Sequence, residues 1–271
     1  MLASFTITLV WISETRGLPE TNVGLASSEF YELIRSTPDL GEEVHPNTLD
    51  APFTVSPLMP LRPRADGVER YRVRLTTMTE PVFDTVCRAL YVKYMSGEPL
   101  QWSEGGFAVT LLDFTDRRGM CRLATYGSLM DAEPVRRFTL KFLTPTAFEN
   151  GNSNTPLPMP RMVFRSYLAR WNRFAPPELV MSDGLLDEVE KHVVTTRHSL
   201  SVRVLDINGT EQTGFVGRCT FAVGRGMDRD SVCLINALAR FAVFSGTGVH
   251  TAFGMGQTLL VHPQEYAPSQ A

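Results

Sequence analysis

The stretch Ser245–Gln257, S-G-T-G-V-H-T-A-F-G-M-G-Q, holds the residues best suited to ligand chemistry in this chain. Gly246, Gly248, Gly254 and Gly256 form two G-x-G pairs five residues apart. Glycine reaches positive φ and lets a ligand approach the backbone, so such a run can turn several amides toward one anion. Thr247, His250 and Thr251 add side-chain donors. A dinucleotide fingerprint is excluded, because it follows a strand and opens a helix. Here a helical pattern ends at the loop and a strand pattern leaves it. A helix C-terminus carries partial negative charge and repels phosphate, so the loop would hold an anion without help from a dipole. The alternative is a C-cap glycine and a tight turn into an edge strand. Four glycines in eleven residues favour the ligand.

A second feature is local charge. Between Pro134 and Phe174 stand Arg136, Arg137, Lys141, Arg161, Arg165, Arg170 and Arg173 against the single acid Glu149. The whole chain, with 26 basic and 29 acidic residues, carries −3 and by itself gives no sign of a nucleic-acid partner. Acids gather elsewhere, for example Glu29, Glu32, Asp39, Glu42 and Glu43. That asymmetry suits a polyanion track on one face. The alternative is a solvated helix face. Arg161 and Arg165, four apart, share a side of a helix, whereas Arg170 and Arg173 point elsewhere. Trp171 could stack a base, but its spacing from Tyr167 and Leu168 favours the core, and no aromatic motif for base stacking on an open sheet is present. The four cysteines, Cys87, Cys121, Cys219 and Cys233, have no C-x-x-C spacing. That argues against a zinc site or a disulfide framework, and they are expected reduced and mostly buried. No metal or cofactor is expected.

The elements that would position these residues follow from apolar periodicity. Phe5, Ile7, Leu9 and Trp11 alternate with Ser4, Thr6 and Thr8, which predicts a strand over 4–11 rather than a signal peptide. A helix is predicted over 27–35, with Phe30, Leu33 and Ile34 as its stripe. Strands follow over 53–59 and 71–78, then a helix over 82–94 with Val86, Leu90 and Tyr94 in register, then a strand over 107–114. The order β-α-β-β-α-β is that of a ferredoxin-like domain. It recurs with one extra helix: a strand at Phe138, Leu140 and Phe142, helices over 162–174 and 185–193, strands over 200–205 and 215–223, a helix over 231–244 and a strand over 257–262. The predicted fold is therefore α+β, two tandem ferredoxin-like domains over 1–130 and 131–271. The Asn- and Pro-rich stretch 150–160 reads as an exposed loop. No apolar run approaches the roughly 20 residues of a membrane-spanning helix, so a cytoplasmic protein is expected.

Four segments together resemble the CRISPR-associated endoribonucleases, type six, of the RAMP superfamily. The family is similar to S-G-x-G-x-x-T-A-x-G-M-G, present here from Ser245 to Gly256. F-L-T-P-T-A-F (142–148), F-R-S-Y-L-A-R-W-N (164–172) and G-F-V-G-R-C-T-F (214–221) follow the family's order. The resemblance covers the C-terminal half; in the N-terminal half it rests on element order.

The resemblance implies the tandem fold, binding of CRISPR repeat RNA, and cleavage of precursor CRISPR RNA. Products would carry a 2′,3′-cyclic phosphate and a 5′-hydroxyl. It implies a general-base histidine after the first helix, where His45 stands, with a tyrosine of that helix, Tyr31, assisting. Neutral imidazole can take the 2′-hydroxyl proton near neutral pH, which needs no metal. Without the family, His45 reads as a turn residue before Pro46 and Tyr31 as a core aromatic. The lysine some members carry shortly after the histidine is missing from H-P-N-T-L-D-A-P, which leaves charge stabilisation unassigned; Arg62, Arg64 or an arginine of the second domain are the candidates. RNA contacts are expected from Gly246, Thr247, Gly248, His250, Thr251, Gly254, Gly256, Arg136, Arg137, Lys141, Arg161 and Arg165. His250 stands where relatives often carry lysine. Two alternatives remain: a non-catalytic guide-RNA subunit of the same superfamily, and a ferredoxin-like enzyme binding a small anion. Partners to consider are CRISPR effector proteins and a second copy of the chain.

Overall fold

The computed structural model describes residues 1–12, 30, 51–62, 65, 68–102, 105–115, 119–150, 153–207 and 209–261. In the first half, β1 (Leu2–Ile12) lies between β4 (Arg70–Thr77) and β6 (Gly105–Asp113), and β2 (Phe53–Val55) lies beyond β4. All these pairings are antiparallel. Counting the four main strands in chain order, the sheet runs second-third-first-fourth, the ferredoxin-like arrangement. β3 (Met59–Pro60), β5 (Leu100–Trp102) and β7 (Arg122–Ala124) extend it.

One face of this sheet is covered by α1 (Glu80–Ser96) through Val82, Val86 and Leu90, which meet Phe5, Ile7, Leu9, Val73 and Leu75. Tyr94, expected in that stripe, is exposed; the helix turns its last ring outward and ends on Gly97 at φ 73. The other face differs from the one-sided strand the alternation predicts. Ser4 and Thr6 are as buried as Phe5, because the second half packs onto that side too. Phe30 is helical and buried in this core, and the rest of the helix predicted over 27–35 lies outside the described residues.

The second half repeats the plan. β8 (Arg137–Thr146) pairs with β12 (Thr210–Val223) and β13 (Thr258–Val261), and β11 (Val193–Ile207) flanks β12. The order β11-β12-β8-β13 is again second-third-first-fourth. α3 (Pro160–Phe174), α4 (Leu185–His192) and α5 (Arg229–Ser245) contribute to the core on one face, with Phe138, Leu140, Phe142 and Phe221 from the sheet. Trp171 is fully buried there, its indole N–H donating to Leu179 O at 2.7 Å. Helix α2 (Tyr126–Met130) also belongs to this core, and the Tyr126 hydroxyl donates back to Met78 O.

Two expectations change. The stretch 150–160 is not one loop: β9 (Phe148–Asn150) and β10 (Ser153–Thr155) close a short hairpin, and Pro160 already starts α3. The strands predicted over 200–205 and 215–223 are parts of a longer hairpin, β11–β12. Its exposed valines and threonines carry strand propensity without the buried alternation that marks a strand in sequence. The cysteines are free; Cys219 is buried and the other three only half-buried. Among the described residues no helix is long and apolar enough to cross a membrane.

Candidate nucleic-acid interface

The glycine-rich loop joins α5 to β13 and lies between the two cores. At Gly248 and Gly256 it packs too tightly for any side chain. A Cβ on Gly248, at φ 77, would fall 2.1 Å from Ala147 O, and one on Gly256, at φ 67, 2.1 Å from Thr247 O. The loop's amides are spent inside the protein. Thr247 N donates to Gly256 O, Gly248 N to Ser166 Oγ, Val249 N to Ala147 O, Gly256 N to Pro145 O and Gln257 N to Thr144 Oγ1. At these positions the loop is a closed turn rather than an open nest of amides. Gly246, Thr247, Gly248, Thr251, Gly254 and Gly256 are all buried. The Thr247 hydroxyl bonds those of Tyr167 and Thr258, each at 2.7 Å.

His250 is the exception. Its φ of 52 makes it the sole non-glycine left-handed residue among those described. Its carbonyl accepts from Phe253 N and Met255 N. The half-buried imidazole is held below its usual pKa by burial, opposed by the charge of Glu149.

The C-terminus of α5 points into this region, and its last carbonyls are each satisfied by a different donor. Ala242 O accepts from Gly246 N. Val243 O accepts from Arg74 Nη2 at 2.6 Å, Phe244 O from the Thr76 hydroxyl and Ser245 O from Arg170 Nη1. Arg74 and Thr76 come from β4 of the other sheet. They face away from α1 because Tyr71, Val73 and Leu75 take the core side. Arg74 also donates to Gln257 Oε1 at 2.7 Å and from Nε to Ser4 Oγ and Met120 O. Gln257 Nε2 donates on to Thr54 Oγ1. Burial lowers both guanidiniums to about 10.

The expected basic patch is divided by the second sheet. Arg137 and Lys141 project from β8 away from the helices, because Phe138, Leu140 and Phe142 face them. Arg218 stands beside Lys141 in register, and Arg197 lies beside Thr220. Arg161 and Arg165 lie in the helical layer. They line an open cleft of about 540 Å³ against Asp183, Gly184 and Asp187. The Arg161 charge is met by Asp187 at 3.0 Å and Glu190 at 2.7 Å. Arg136 folds onto its own domain, donating to Gly224 O and Met227 O. Arg170 is interior. The structure thus joins Arg137 and Lys141 on one face and separates them from Arg136, Arg161 and Arg165. His45, Tyr31 and Arg64 lie outside the described residues.

Sequence reasoning missed Arg218, Arg197, and the β4 row Arg70, Arg72 and Arg74. The alternation R-Y-R-V-R-L at 70–75 was a usable signal: with the apolar set inward, three arginines share the opposite face.

The family model for CRISPR-associated endoribonuclease Cas6 matches residues 140–258. A Cas6 of Mycobacterium tuberculosis is 31% identical over 149 residues, covering 55% of this chain and 46% of the relative. A Cas6 of Streptococcus thermophilus is 26% identical over 119 residues, covering 44% of this chain and 48% of the relative. The chain thus spans about half the length of the curated relatives it matches. Likeness across the whole chain comes from solved structures. A Thermus thermophilus Cas6 product complex has a TM-score of 0.81 at 24% identity, covering 96% of this chain and 100% of that one. A Cas6 substrate-mimic complex has a TM-score of 0.73 at 26% identity, covering 96% of this chain and 99% of that one.

Proposed function

On its similarity to Cas6 proteins, in the family match over residues 140–258 and in fold along almost the whole chain, we propose that this chain is a CRISPR-associated endoribonuclease of the Cas6 kind, which binds CRISPR repeat RNA and cleaves precursor CRISPR RNA once within each repeat. The observation that carries this reading is the pairing of two ferredoxin-like domains by a buried glycine-rich loop, with a basic sheet face beside it.

In this reading His45 takes the proton of a ribose 2′-hydroxyl. The oxygen attacks its own adjacent phosphorus, and the 5′-oxygen of the next nucleotide leaves with a proton, which Tyr31 supplies in this reading. The products are a 2′,3′-cyclic phosphate and a 5′-hydroxyl, and no water nucleophile or metal enters the step. Positioned proton transfer of this kind contributes on the order of a hundred- to ten-thousand-fold. Arg137 and Lys141, with Arg218, track the backbone as point contacts. His250 reaches the strand from the loop, while the glycines, Thr247 and Thr251 set the loop's shape. Arg136 and Arg161 support the fold around that surface rather than the strand. A cytoplasmic location and delivery of the product to CRISPR effector proteins belong to the same reading.

The test is incubation of the protein with labelled repeat RNA in EDTA. Cleavage is expected, with His45→Ala binding the RNA and losing most of the cutting. A 2′-deoxy sugar before the cut should abolish cleavage, and cutting of that substrate would exclude the nucleophile.

A further inference from the structure

Arg74 and Arg170 are both at most 2% exposed, and among the described residues neither has a carboxylate partner. Their bonds run to backbone carbonyls, one hydroxyl and one side-chain amide oxygen. Arg170 Nε has no partner at all among the described residues. A buried charge without a counter-charge is costly to hold. Capping alone does not call for it, because the same helix end is capped at Phe244 O by the neutral Thr76 hydroxyl. What two guanidiniums add beyond a hydroxyl is charge. A helix C-terminus is worth about half a negative charge, so two full positive charges leave this end near +1.5. That end lies directly beneath the loop: Arg170 Nη2 donates to Gly248 O, and Arg74 holds Gln257, which closes the loop. The exposed acid facing His250, Glu149, offsets only part of it.

We propose that Arg74 and Arg170 reverse the electrical sign of the α5 C-terminus, so that the glycine-rich loop attracts the phosphate backbone of an RNA strand that neither guanidinium touches. The proposal rests on the RNA-binding reading above. Both are positioning residues that act through the loop. A field from fixed interior charge needs no rearrangement when the polyanion arrives, and low dielectric around it limits screening.

The experiment measures binding of a repeat RNA carrying a 2′-deoxy sugar at the cut, by fluorescence anisotropy. The proteins are wild type, Arg170→Gln, Arg170→Lys, Arg74→Gln, Arg74→Lys and Thr76→Val, with thermal melts alongside. Glutamine keeps donors and loses charge; lysine keeps charge and loses the planar fork. The lysine variants should bind within about threefold of wild type, and the glutamine variants about tenfold more weakly. Thr76→Val should lower the melting temperature and leave RNA affinity unchanged. Equal losses in the lysine and glutamine variants at either position would overturn the proposal in favour of plain capping. If a glutamine variant does not fold, the lysine variant still decides, since affinity falling in step with its stability also overturns it. Wild type that does not bind the RNA would instead overturn the parent reading.

Discussion

Arg74 on β4 and Gln257, the residue before β13, meet side chain to side chain at 2.7 Å and tie the first sheet to the second. Gln257 also donates to Thr54, so its amide answers two buried polar groups of the first domain. Replacing Gln257 by alanine leaves the Arg74 Nη1 and Thr54 groups short of a partner. The expected cost is about 2–4 kcal/mol, from the desolvation of groups left unmet. Urea unfolding checks it; a loss below about 0.5 kcal/mol would mean water replaces the amide freely.

Two glycines with nearly the same φ should respond very differently to alanine. Gly97, at φ 73, has nothing within 4 Å of an added Cβ, so Gly97→Ala should cost only the left-handed penalty of about 1–2 kcal/mol. Gly248, at φ 77, would drive its Cβ to 2.1 Å from the Ala147 carbonyl oxygen. Gly248→Ala should therefore cost more than about 4 kcal/mol or displace the loop, with loss of RNA binding. Paired thermal melts separate the two.

The salt dependence of RNA binding should single out the open sheet face. Lys141→Ala and Arg137→Ala should each reduce the slope of log affinity against log salt by about 1, as expected for one phosphate contact. Arg161→Ala should leave slope and affinity nearly unchanged, because Asp187 and Glu190 already meet its charge.

Under the proposed RNA-binding role, His250 should make RNA affinity pH-dependent. Burial depresses its pKa below the usual value of about 6.5, so at neutral pH the imidazole is uncharged. For stability the sign is unfavourable in acid: the neutral form's contribution is present above the unfolded pKa and is lost as pH falls through the lower folded one. For a phosphate contact the sign is opposite, since the charged ring binds better. Affinity should rise as pH drops from about 7.5 to about 5.5, more than in His250→Asn, which tolerates the same left-handed backbone. Titrations of both proteins in buffers of constant ionic strength would show it.

The two ferredoxin-like units were legible because their inward faces alternate or recur at helical spacing, as in Phe138, Leu140 and Phe142 or Val82, Val86 and Leu90. The long hairpin β11–β12 was half-hidden, since a strand exposed on both faces leaves no alternation to read. The loop was visible as a motif, but its physical role was not. Glycine spacing cannot distinguish amides turned outward to a ligand from amides turned inward to Ala147, Pro145 and Thr144. The basic run 136–173 misled for a related reason. Arg136 precedes β8 and bonds carbonyls of its own domain while Arg137 opens the strand, and residues on α3 sit in a different layer from those on β8. Arg218, far off in sequence, is brought beside Lys141 only by strand pairing.

Strand β7 ends at Ala124 in the first sheet, and helix α2 begins at Tyr126 in the second core, so a single residue, Thr125, spans the passage from one domain to the other. Thr125 is itself fixed, capping α2 through its hydroxyl and backbone. The connection therefore gives the two halves little slack to swing apart at that point.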